Sequence, residues 1–283
     1  MQNTRNSQAF EPRTFGKYYL LDRIAVGGMA EIFKAKQFGI GGFEKLLVIK
    51  KILPHISEDK EFVEMFIDEA LISVSLSHSN IIQVYELGQI ENNYFIAMEY
   101  IDGKNLREII KKCKEKDARL SVEQILFIIM EACNGLDYAH RKKRPSSNES
   151  LQIIHRDISP QNVMSSFEGE VKIADFGIAK AKGKISKTQA GVLKGKFGYM
   201  SPEQARGLEM DHRSDIFSLG IMFWELLTDS RLFLGDYDFD TLEKVKYLKI
   251  PAPSSMVKGI SAEIDEIASR VLERDLNKRY QSA

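Results

Sequence analysis

The chain has 283 residues, with 40 basic and 40 acidic side chains and a formal net charge of zero at pH 7. This balance gives no general attraction to nucleic acid or to an acidic membrane surface, so neither partner is expected. Two cysteines do not make a disulfide framework, and no apolar run approaches the ~18 residues that suggest a membrane span. We therefore expect a cytoplasmic protein of one large domain or two lobes, and leave open a membrane anchor outside this chain.

The chain is expected to open with a polar lead-in and a β-hairpin. Residues 1–14 are polar and lack an apolar signal core, which predicts a flexible segment before a folded domain at 15–283. Apolar runs on both sides of a glycine-containing turn then predict two paired strands between 15 and 36. A further apolar run at 46–49 ends at Lys50 and predicts a buried strand that delivers one charge.

A helical period at 61–76 places one carboxylate within an apolar stripe. Glu69 shares this face with four apolar residues, Phe62, Met65, Phe66 and Ile72. A carboxylate in such a stripe is costly unless it is paired, and Lys50 is the available cation. We therefore predict a Lys50–Glu69 ion pair; the alternative is a lysine at a strand end that extends its amine to water.

Two more strands are expected at 84–87 and 94–98, followed by a polar segment at 99–103. From there the chain reads as mainly helical. An apolar stripe predicts a helix from Ser121 to His140, with Ser121 at its start. Another helix beginning at Asp215 is apolar nearly all round, which predicts burial in a core.

Two short motifs carry the chemistry. The first is His-Arg-Asp at 155–157, followed by Asn162, and the second is Asp-Phe-Gly at 175–177. Asp157 can accept a proton, and the oxygens of Asn162 and Asp175 suit a hard cation. Acidic groups and a carboxamide on loops between β-like runs predict magnesium-assisted phosphoryl transfer. The alternative is a pair of surface turns rich in Asp and Asn.

These motifs, in this order and at this short separation, resemble the protein kinase family. The resemblance covers 15–283, and Ser-Pro-Glu at 201–203 is similar to the family's closing motif, in a form typical of bacterial kinases of eukaryotic type. It implies an α+β, bilobal fold. The N-lobe, about 15–100, would be small, antiparallel and β-rich with one helix, and the C-lobe, about 103–283, would be mainly helical. The family's last helix normally continues further, so we expect an incomplete final helix.

The resemblance implies a Ser/Thr protein kinase that uses ATP and Mg²⁺. Asp157 would orient the substrate hydroxyl and take its proton, while Asn162 and Asp175 would hold the metal ions. Lys50, paired with Glu69, would hold the α- and β-phosphates. The nucleotide would be bound by the hairpin, the strand before Lys50 and the segment between the lobes, through Ile24, Ala25, Val26, Gly27, Gly28, Met29, Ala30, Ile32, Val48, Lys50, Met98, Glu99 and Ile101.

The resemblance also implies two internal contacts. Asp215 would hold the backbone of the turn at 155–156; the alternative is an ordinary carboxylate at a helix N-terminus. Glu203 would pair with Arg279, which lies in the family's expected Asp-x-x-x-Arg setting.

A regulated loop is expected after position 177. In the family, the residue equivalent to Arg156 often binds a phosphate on this loop, which here is rich in lysine and therefore repels Arg156 when unmodified. Thr188 and Ser186 are the candidate phosphorylation sites, and Thr188 is preferred. The alternative is an ordinary polar loop. Pairing of two kinase domains for trans-autophosphorylation is left open.

Two departures from the family pattern occur together. Ser/Thr kinases usually carry lysine where this chain has Ser159, and threonine where it has Lys196. Our hypothesis is a reciprocal exchange, in which Lys196 brings an ammonium group to the catalytic aspartate and Ser159 supplies the hydroxyl. The alternative is a solvent-facing Lys196 and a slower enzyme.

Two other functions are kept as alternatives. A pseudokinase that binds nucleotide or partners without transfer is supported by four departures from the family, Ala25, Ala30, Val48 and Ser159. It is opposed by the presence of Lys50, Glu69, Asp157, Asn162 and Asp175. A small-molecule kinase of related fold is opposed by the complete segment up to Glu203. Strict Ser/Thr and dual specificity are not distinguished.

Overall fold

The computed structural model describes residues 10–144, 146–176 and 197–283, which divide into two compact units. The first unit holds the chain up to Ser75 and Gln83–Tyr100, and the second holds Leu76–Ile82 and Ile101–Ala283. The strands are β1 (Arg13–Phe15), β2 (Tyr18–Val26), β3 (Ala30–Phe38), β4 (Glu44–Ile52), β5 (Val84–Ile90), β6 (Asn93–Glu99), β7 (Gly103–Asn105), β8 (Val163–Ser166) and β9 (Val171–Ile173). The helices are α1 (Lys60–Ser75), α2 (Leu106–Glu115), α3 (Val122–His140), α4 (Pro202–Ala205), α5 (Arg213–Thr228), α6 (Asp238–Tyr247) and α7 (Ala262–Val271).

The first unit is built on one six-stranded antiparallel sheet in the order β1-β2-β3-β4-β6-β5. Successive strand residues face opposite sides of a sheet, so the alternating apolar residues collect on one side. There they form a core of Tyr18, Leu20, Phe33, Ala35, Leu47, Ile49, Phe95 and Ala97. Helix α1 packs through Phe66 and Ala70 against a second cluster with Ile52, Val84 and Ile96. The predicted β-rich lobe with one helix is therefore confirmed.

Strand β1 begins within the segment 1–14, for which the sequence predicted a flexible lead-in. Residues 1–9 lie outside the described part, but Arg13 and Thr14 belong to β1 and pair with β2. The ring of Phe10 also lies 5.3 Å from that of Phe33, measured between centroids. Burial of aromatic surface against the sheet explains this order, which a short polar segment did not reveal.

The second unit is mainly helical, with one small antiparallel sheet in the order β7-β8-β9. Helix α3 begins where the sequence predicted. The Ser121 hydroxyl accepts a hydrogen bond from the Gln124 N–H at 3.3 Å, and the Gln124 side chain accepts one from the Ser121 N–H at 2.9 Å. Ile125 of this helix packs against Phe223 of α5. Helix α5 is buried on nearly all sides, as its apolar sequence predicted.

The segment Leu76–Ile82 belongs to the second unit although it lies between two elements of the first. The N–H of Ile173 donates to the Asn80 carbonyl at 2.8 Å, and the N–H of Ile82 donates to the Ile173 carbonyl at 2.9 Å. The Asn80 amide also donates to Glu131 at 2.6 Å and to the Val171 carbonyl at 2.9 Å. These bonds tie the segment to β9 and α3. Within the described ranges, no helix is both long enough and apolar enough to cross a membrane.

Candidate active site

In the first unit, β4 and α1 bring a lysine and a glutamate together. The ammonium nitrogen of Lys50 lies 2.8 Å from Oε1 of Glu69, and the two side chains are only 14% and 13% exposed. Lys50 follows the buried Ile49 on β4, and Glu69 precedes the buried Ala70 on α1. A charge held this far from water is tolerated when an opposite charge lies within hydrogen-bonding distance. The pair therefore fixes one cationic group at a defined position.

The turn between β2 and β3 is tight and small. The N–H of Gly27 donates to the Ala30 carbonyl at 2.8 Å, and Ala25 lies opposite Ile32 in the register of the two strands. Gly28 has no side chain, and a Cβ atom added there would meet no other atom within 4 Å, so the turn is open at this position. Apolar side chains on the hairpin are exposed, namely Ile24, Val26 and Met29. Phosphate groups could approach the main chain of this open turn closely, and the apolar side chains could cover a flat ring, so the hairpin suits a ligand that carries both.

Strands β4 and β6 place Val48 directly opposite Met98 in register. The N–H of the next residue, Glu99, donates to the Gln83 carbonyl at 2.9 Å. Ile101, which begins the next part of the second unit, is buried.

In the second unit, the loop before β8 positions Asp157 and Asn162. The side-chain amide of Asn162 donates to the Asp157 carbonyl at 2.8 Å and approaches its carboxylate at 3.4 Å. The N–H of Asn162 donates to the carbonyl of the buried Ser159 at 2.9 Å. Because the NH₂ group of Asn162 is used within the loop, Oδ1 is the side-chain atom that can accept a hydrogen bond or coordinate a cation.

Asp175 is joined to this loop through its neighbour Ala174. The Ala174 N–H donates to the Asn162 carbonyl at 2.8 Å, and Nε2 of His155 lies 2.9 Å from the Ala174 carbonyl. The His155 ring also packs on Phe176, with 4.7 Å between the centroids. Asp175 itself adopts a φ of 53°, a left-handed conformation that aspartate tolerates better than most residues other than glycine. The structure thus brings Asp157, Asn162 and Asp175 into one neighbourhood.

This donor set suits magnesium. In the part of the chain that the structure describes, no three or more His, Cys, Asp or Glu residues gather into a cage for a cation. Asp175 offers a carboxylate and Asn162 an amide oxygen, and both are hard ligands. Magnesium commonly binds one or two carboxylates and completes its shell with water and substrate phosphates. The residues therefore fit a metal that arrives with a phosphate-bearing substrate.

Asp215 organises the backbone of the loop. This buried carboxylate accepts hydrogen bonds from the N–H groups of His155 and Arg156, both at 2.7 Å. Its Oδ2 atom also lies 2.8 Å from Nε2 of His140. From the sequence, His140 was expected only to end a helix; a polar residue at the last turn of an apolar helix was the available signal.

Arg156 has unused donors in a buried position. Its Nε and Nη1 atoms are buried and have no hydrogen-bond partner within the described ranges. Burial lowers the pKa of this guanidinium, and attraction to Asp215 offsets part of that effect. The Arg156 backbone, with φ 67°, is also held by a 3.0 Å hydrogen bond from the Gln204 side chain to its carbonyl. Buried unsatisfied donors are costly, so this side chain is suited to receive an anion.

Three predicted residues cannot be placed on this geometry. Ser186, Thr188 and Lys196, together with Gly177 of the second motif, lie outside the described residues.

Glu203 and Arg279 form a buried ion pair. The Arg279 Nη1 atom lies 2.8 Å from Oε1 of Glu203 and its Nη2 atom 3.2 Å from Oε2. The Ser214 hydroxyl donates to the same carboxylate at 2.7 Å. Burial alone would raise the pKa of Glu203, but hydrogen bonding and attraction to Arg279, with the bond from Ser214, hold it below its ordinary value. The pair joins the start of α4 to the end of the described chain.

A polar network that was not predicted from the sequence surrounds Glu225. The Tyr199 hydroxyl donates to Oε2 of Glu225 at 2.6 Å, and the Leu232 N–H donates to Oε1 at 2.9 Å. Arg231 lies 3.0 Å from the same carboxylate and 4.8 Å from the centroid of the Tyr199 ring. Burial raises the pKa of Glu225 and that of Tyr199. A single carboxylate within the apolar α5 sequence was the signal that could have revealed it.

The chain is similar to known proteins in sequence and in fold. The model of the protein kinase domain family matches residues 18–283. The chain is 39% identical over 269 residues to the tyrosine-protein kinase MasK of Myxococcus xanthus, covering 95% of this chain and 42% of that protein. It is 34% identical over 278 residues to the serine/threonine-protein kinase PknB of Mycobacterium leprae, covering 96% of this chain and 42% of that protein.

The chain thus spans less than half the length of these relatives. The crystal structure of the Mycobacterium tuberculosis PknI kinase domain has the same fold, with a TM-score of 0.69 and 24% identity, covering 95% of this chain and 93% of that one. A family match over nearly the whole chain, on a fold that brings the residues of the two motifs together, shows that this chain belongs to the protein kinase domain family.

Proposed function

We propose that this chain is a catalytic domain that transfers the γ-phosphate of ATP, with Mg²⁺, to Ser or Thr hydroxyls of protein substrates. The assembly of Asp157, Asn162 and Asp175 in the second unit carries this proposal. The buried Lys50–Glu69 pair in the first unit adds support. A pseudokinase has no comparable support, because these five residues are all present.

Each residue has a definite role in the proposed reaction. Asp157 orients the substrate hydroxyl and accepts its proton as the oxygen attacks the γ-phosphorus. Asn162 and Asp175 hold magnesium, which neutralises charge on the phosphates when it is bound. Lys50 holds the α- and β-phosphates, and Glu69 keeps its ammonium group in place. Positioning of this kind can contribute up to roughly 7–11 kcal/mol to the lowering of the barrier.

Specificity for Ser and Thr is part of the proposal. PknB is named a serine/threonine kinase, whereas MasK is named a tyrosine kinase. Pro160 beside the catalytic loop resembles the Lys-Pro form of Ser/Thr kinases, which favours Ser/Thr specificity over tyrosine specificity. Identification of the phosphorylated amino acids after incubation with labelled ATP, with and without a magnesium chelator, tests this choice. Phosphotyrosine as the only product would contradict it.

Thr188 is expected to be the main site of autophosphorylation. A phosphate there would bring a charge of about −1.5 to −2 to a loop that Arg156 can bind, and would satisfy its buried donors. Mass spectrometry of an active preparation is expected to find phosphate on Thr188. The variant T188V replaces the hydroxyl by a methyl group of similar size, and S186A serves as its control. Absence of phosphate from both residues in active enzyme would contradict the proposed switch.

Lys196 is proposed to supply the ammonium group that Ser/Thr kinases usually place at the position of Ser159. If so, Lys196→Ala should lower kcat, because the positive charge beside the transferred phosphate is lost. The measurement compares kcat of K196A and of the lysine-to-alanine control K249A, with the extent of loop phosphorylation matched. An unchanged kcat for K196A at equal phosphorylation would rule out the exchange.

A further inference from the structure

A polar cavity lies in the second unit, where the segment Leu76–Ile82 meets helix α3 and the residues that follow this helix. Its volume of about 740 Å³ is within the range of small-molecule sites, about 300–1,000 Å³. Such sites are usually lined by apolar side chains, whereas every residue that lines this cavity is polar or charged. None of the proposed catalytic residues is among them. The cavity therefore suits a charged ligand and is separate from the candidate active site.

A short hairpin that begins with consecutive cations forms one wall of the cavity. We name residues 141–151 the basic hairpin; its first four residues are Arg141, Lys142, Lys143 and Arg144. The Arg144 N–H donates to the Glu149 carbonyl at 2.8 Å. The Leu151 N–H donates to the Lys142 carbonyl at 2.9 Å. Because the main chain is already fixed by these bonds, its side chains lose less entropy when they bind a ligand.

The carboxylates at the cavity are engaged with other residues. Glu131 accepts a hydrogen bond from the Asn80 side chain at 2.6 Å. Oδ1 of Asp137 lies 2.8 Å from Nε of Arg141, one turn further along the chain. Three cationic and two anionic side chains line the cavity, so its charge is positive even when its histidine is neutral.

The two lysines of the cavity retain hydrogen-bond donors. The ammonium group of Lys142 donates to the Tyr138 hydroxyl at 2.7 Å, which uses only one of its three N–H bonds. Lys143 lies opposite Ser150 in the basic hairpin, and its ammonium group forms no ion pair or hydrogen bond with any residue that the structure describes. Both ammonium groups can therefore donate to a ligand.

Tyr138 offers a further donor. Its oxygen accepts hydrogen bonds from the Ser77 N–H at 3.2 Å and from Lys142, so its own hydrogen is left to be donated. Burial alone would raise the pKa of Tyr138, but the bonds from Lys142 and the Ser77 N–H hold it below its ordinary value. A more acidic phenol is a stronger hydrogen-bond donor, and an anionic acceptor would benefit most from it.

His78 offers a fourth donor beside Tyr138. Its Nδ1 atom accepts a hydrogen bond from the Asn80 N–H at 3.2 Å, so the neutral ring carries its hydrogen on Nε2. Within the described ranges, Nε2 has no hydrogen-bond partner. The His78 ring stacks on that of Tyr138, with 4.9 Å between the centroids and 26° between the planes. This stacking holds the two neighbouring donors in fixed directions.

We propose that this cavity binds a phosphate monoester, which accepts hydrogen bonds from Lys142, Lys143, Tyr138 and Nε2 of His78. Such a phosphate offers three acceptor oxygens and a charge of about −1.5 to −2, which matches a positive site whose uncommitted groups are donors. Phosphate alone would leave most of the cavity empty, so the ester carries a larger group. Its source is a phosphorylated protein side chain or a small phosphorylated metabolite. The inference is independent of the proposed kinase reaction, because this binding needs no ATP.

Calorimetric titration tests the site with two probes, O-phospho-L-serine and a phosphoserine peptide, without ATP and at an ionic strength of about 0.15 M. The variant K142Q/K143Q removes both charges and keeps side chains of similar size. It is expected to weaken binding of either probe about 100-fold, since each lysine donates a charged hydrogen bond. The control K258Q, at an exposed lysine outside the cavity, should bind as wild type does.

The rings of the five histidines report where the phosphate binds. In a ¹H–¹³C spectrum, the signal of His78, assigned with the variant H78Q, should shift when O-phospho-L-serine is added. The signals of His140 and His155, whose rings contact the catalytic region, should stay in place. A shift of His155 without a shift of His78 would place the phosphate at the candidate active site and overturn the proposal.

Y138F tests the phenol donor and is expected to weaken binding of either probe about tenfold, while thermal unfolding shows whether each variant is folded. The unphosphorylated serine peptide should not bind. Tighter binding of the phosphoserine peptide than of O-phospho-L-serine would assign the site to a phosphorylated protein, and equal binding would assign it to a small metabolite. The proposal is overturned if neither probe binds, if K142Q/K143Q binds as wild type does, or if phosphate on the peptide makes no difference.

Discussion

Asp157→Asn is expected to lower the rate of phosphoryl transfer by about 10²–10⁴-fold, the usual contribution of a positioned general base. The amide has nearly the same shape but does not accept the substrate proton. The loop should keep its conformation, because Asn162 donates at 2.8 Å to the Asp157 main-chain carbonyl, which is unchanged. The loss should therefore appear in kcat, with little change in the binding of ATP.

The measurement is incorporation of labelled phosphate into a generic protein substrate, together with binding of a fluorescent ATP analogue. D117N is a suitable control, since Asp117 is an exposed residue with φ 49°, a conformation that asparagine also tolerates. A D157N enzyme with the rate of wild type would remove Asp157 from the proposed mechanism. Equal loss of ATP binding would assign it a structural role instead.

Arg279→Met is expected to lower the free energy of unfolding by about 3–5 kcal/mol, because it leaves the Glu203 carboxylate buried without its cation. The side chains of Arg279 and Glu203 are 0% and 6% exposed, so water cannot replace the lost partner. Arg279 also donates to the carbonyls of Arg213 at 2.7 Å and Glu273 at 2.8 Å. The variant loses both of these hydrogen bonds. For a domain of this size the loss corresponds to a Tm lower by roughly 6–20 °C.

The pH dependence of this effect follows from the pKa of Glu203. Its pKa in the folded protein is held below the ordinary value of 4.5. The wild-type pair therefore stabilises the fold at neutral pH, and this contribution is lost as the pH falls below about 4.5 and through the folded-state pKa. In R279M, burial without the cation should raise the pKa of Glu203 instead. The difference in stability between wild type and R279M should therefore shrink as the solution is acidified.

Thermal and urea unfolding between pH 4 and 7 provide the measurement. The control R270M makes the same substitution at an exposed arginine on α7, whose guanidinium lies 4.5 Å from the Tyr280 ring centroid, a surface contact worth only about 0.5–1 kcal/mol. An R279M protein as stable as R270M at pH 7 would show that the ion pair does not stabilise the second unit. If the difference in stability between wild type and R279M widened on acidification, the proposed role of Glu203 would be contradicted.

Local features of this fold could be predicted because their partners are close in sequence. Ser121 and Gln124 are three residues apart, so the start of α3 was predictable from a capping pattern. The apolar stripe around Glu69 predicted a buried carboxylate that needs a cation. Lys50, at the end of a buried strand, was the predicted partner, and the resemblance to the kinase family implies the same pair.

Distant polar contacts were less accessible to sequence analysis. The contacts of Asp215 with His155 and His140 span 60 and 75 residues, and the bond from Tyr199 to Glu225 spans 26. No repeating pattern relates such positions. The resemblance to the kinase family supplied the contact with His155 in advance, whereas the contacts to His140 and Glu225 became evident only in the structure.

The sequence by itself determined which chemical groups this protein brings to its reaction, since the order and spacing of two short motifs identify the family and its donors. Only the tertiary structure decided how those groups are held. A hydrogen bond depends on distances of about 3 Å, which local periodicity does not specify across many residues. For the same reason, the network that joins Tyr199, Leu232 and Arg231 to the Glu225 carboxylate could be found only once the backbone was in place.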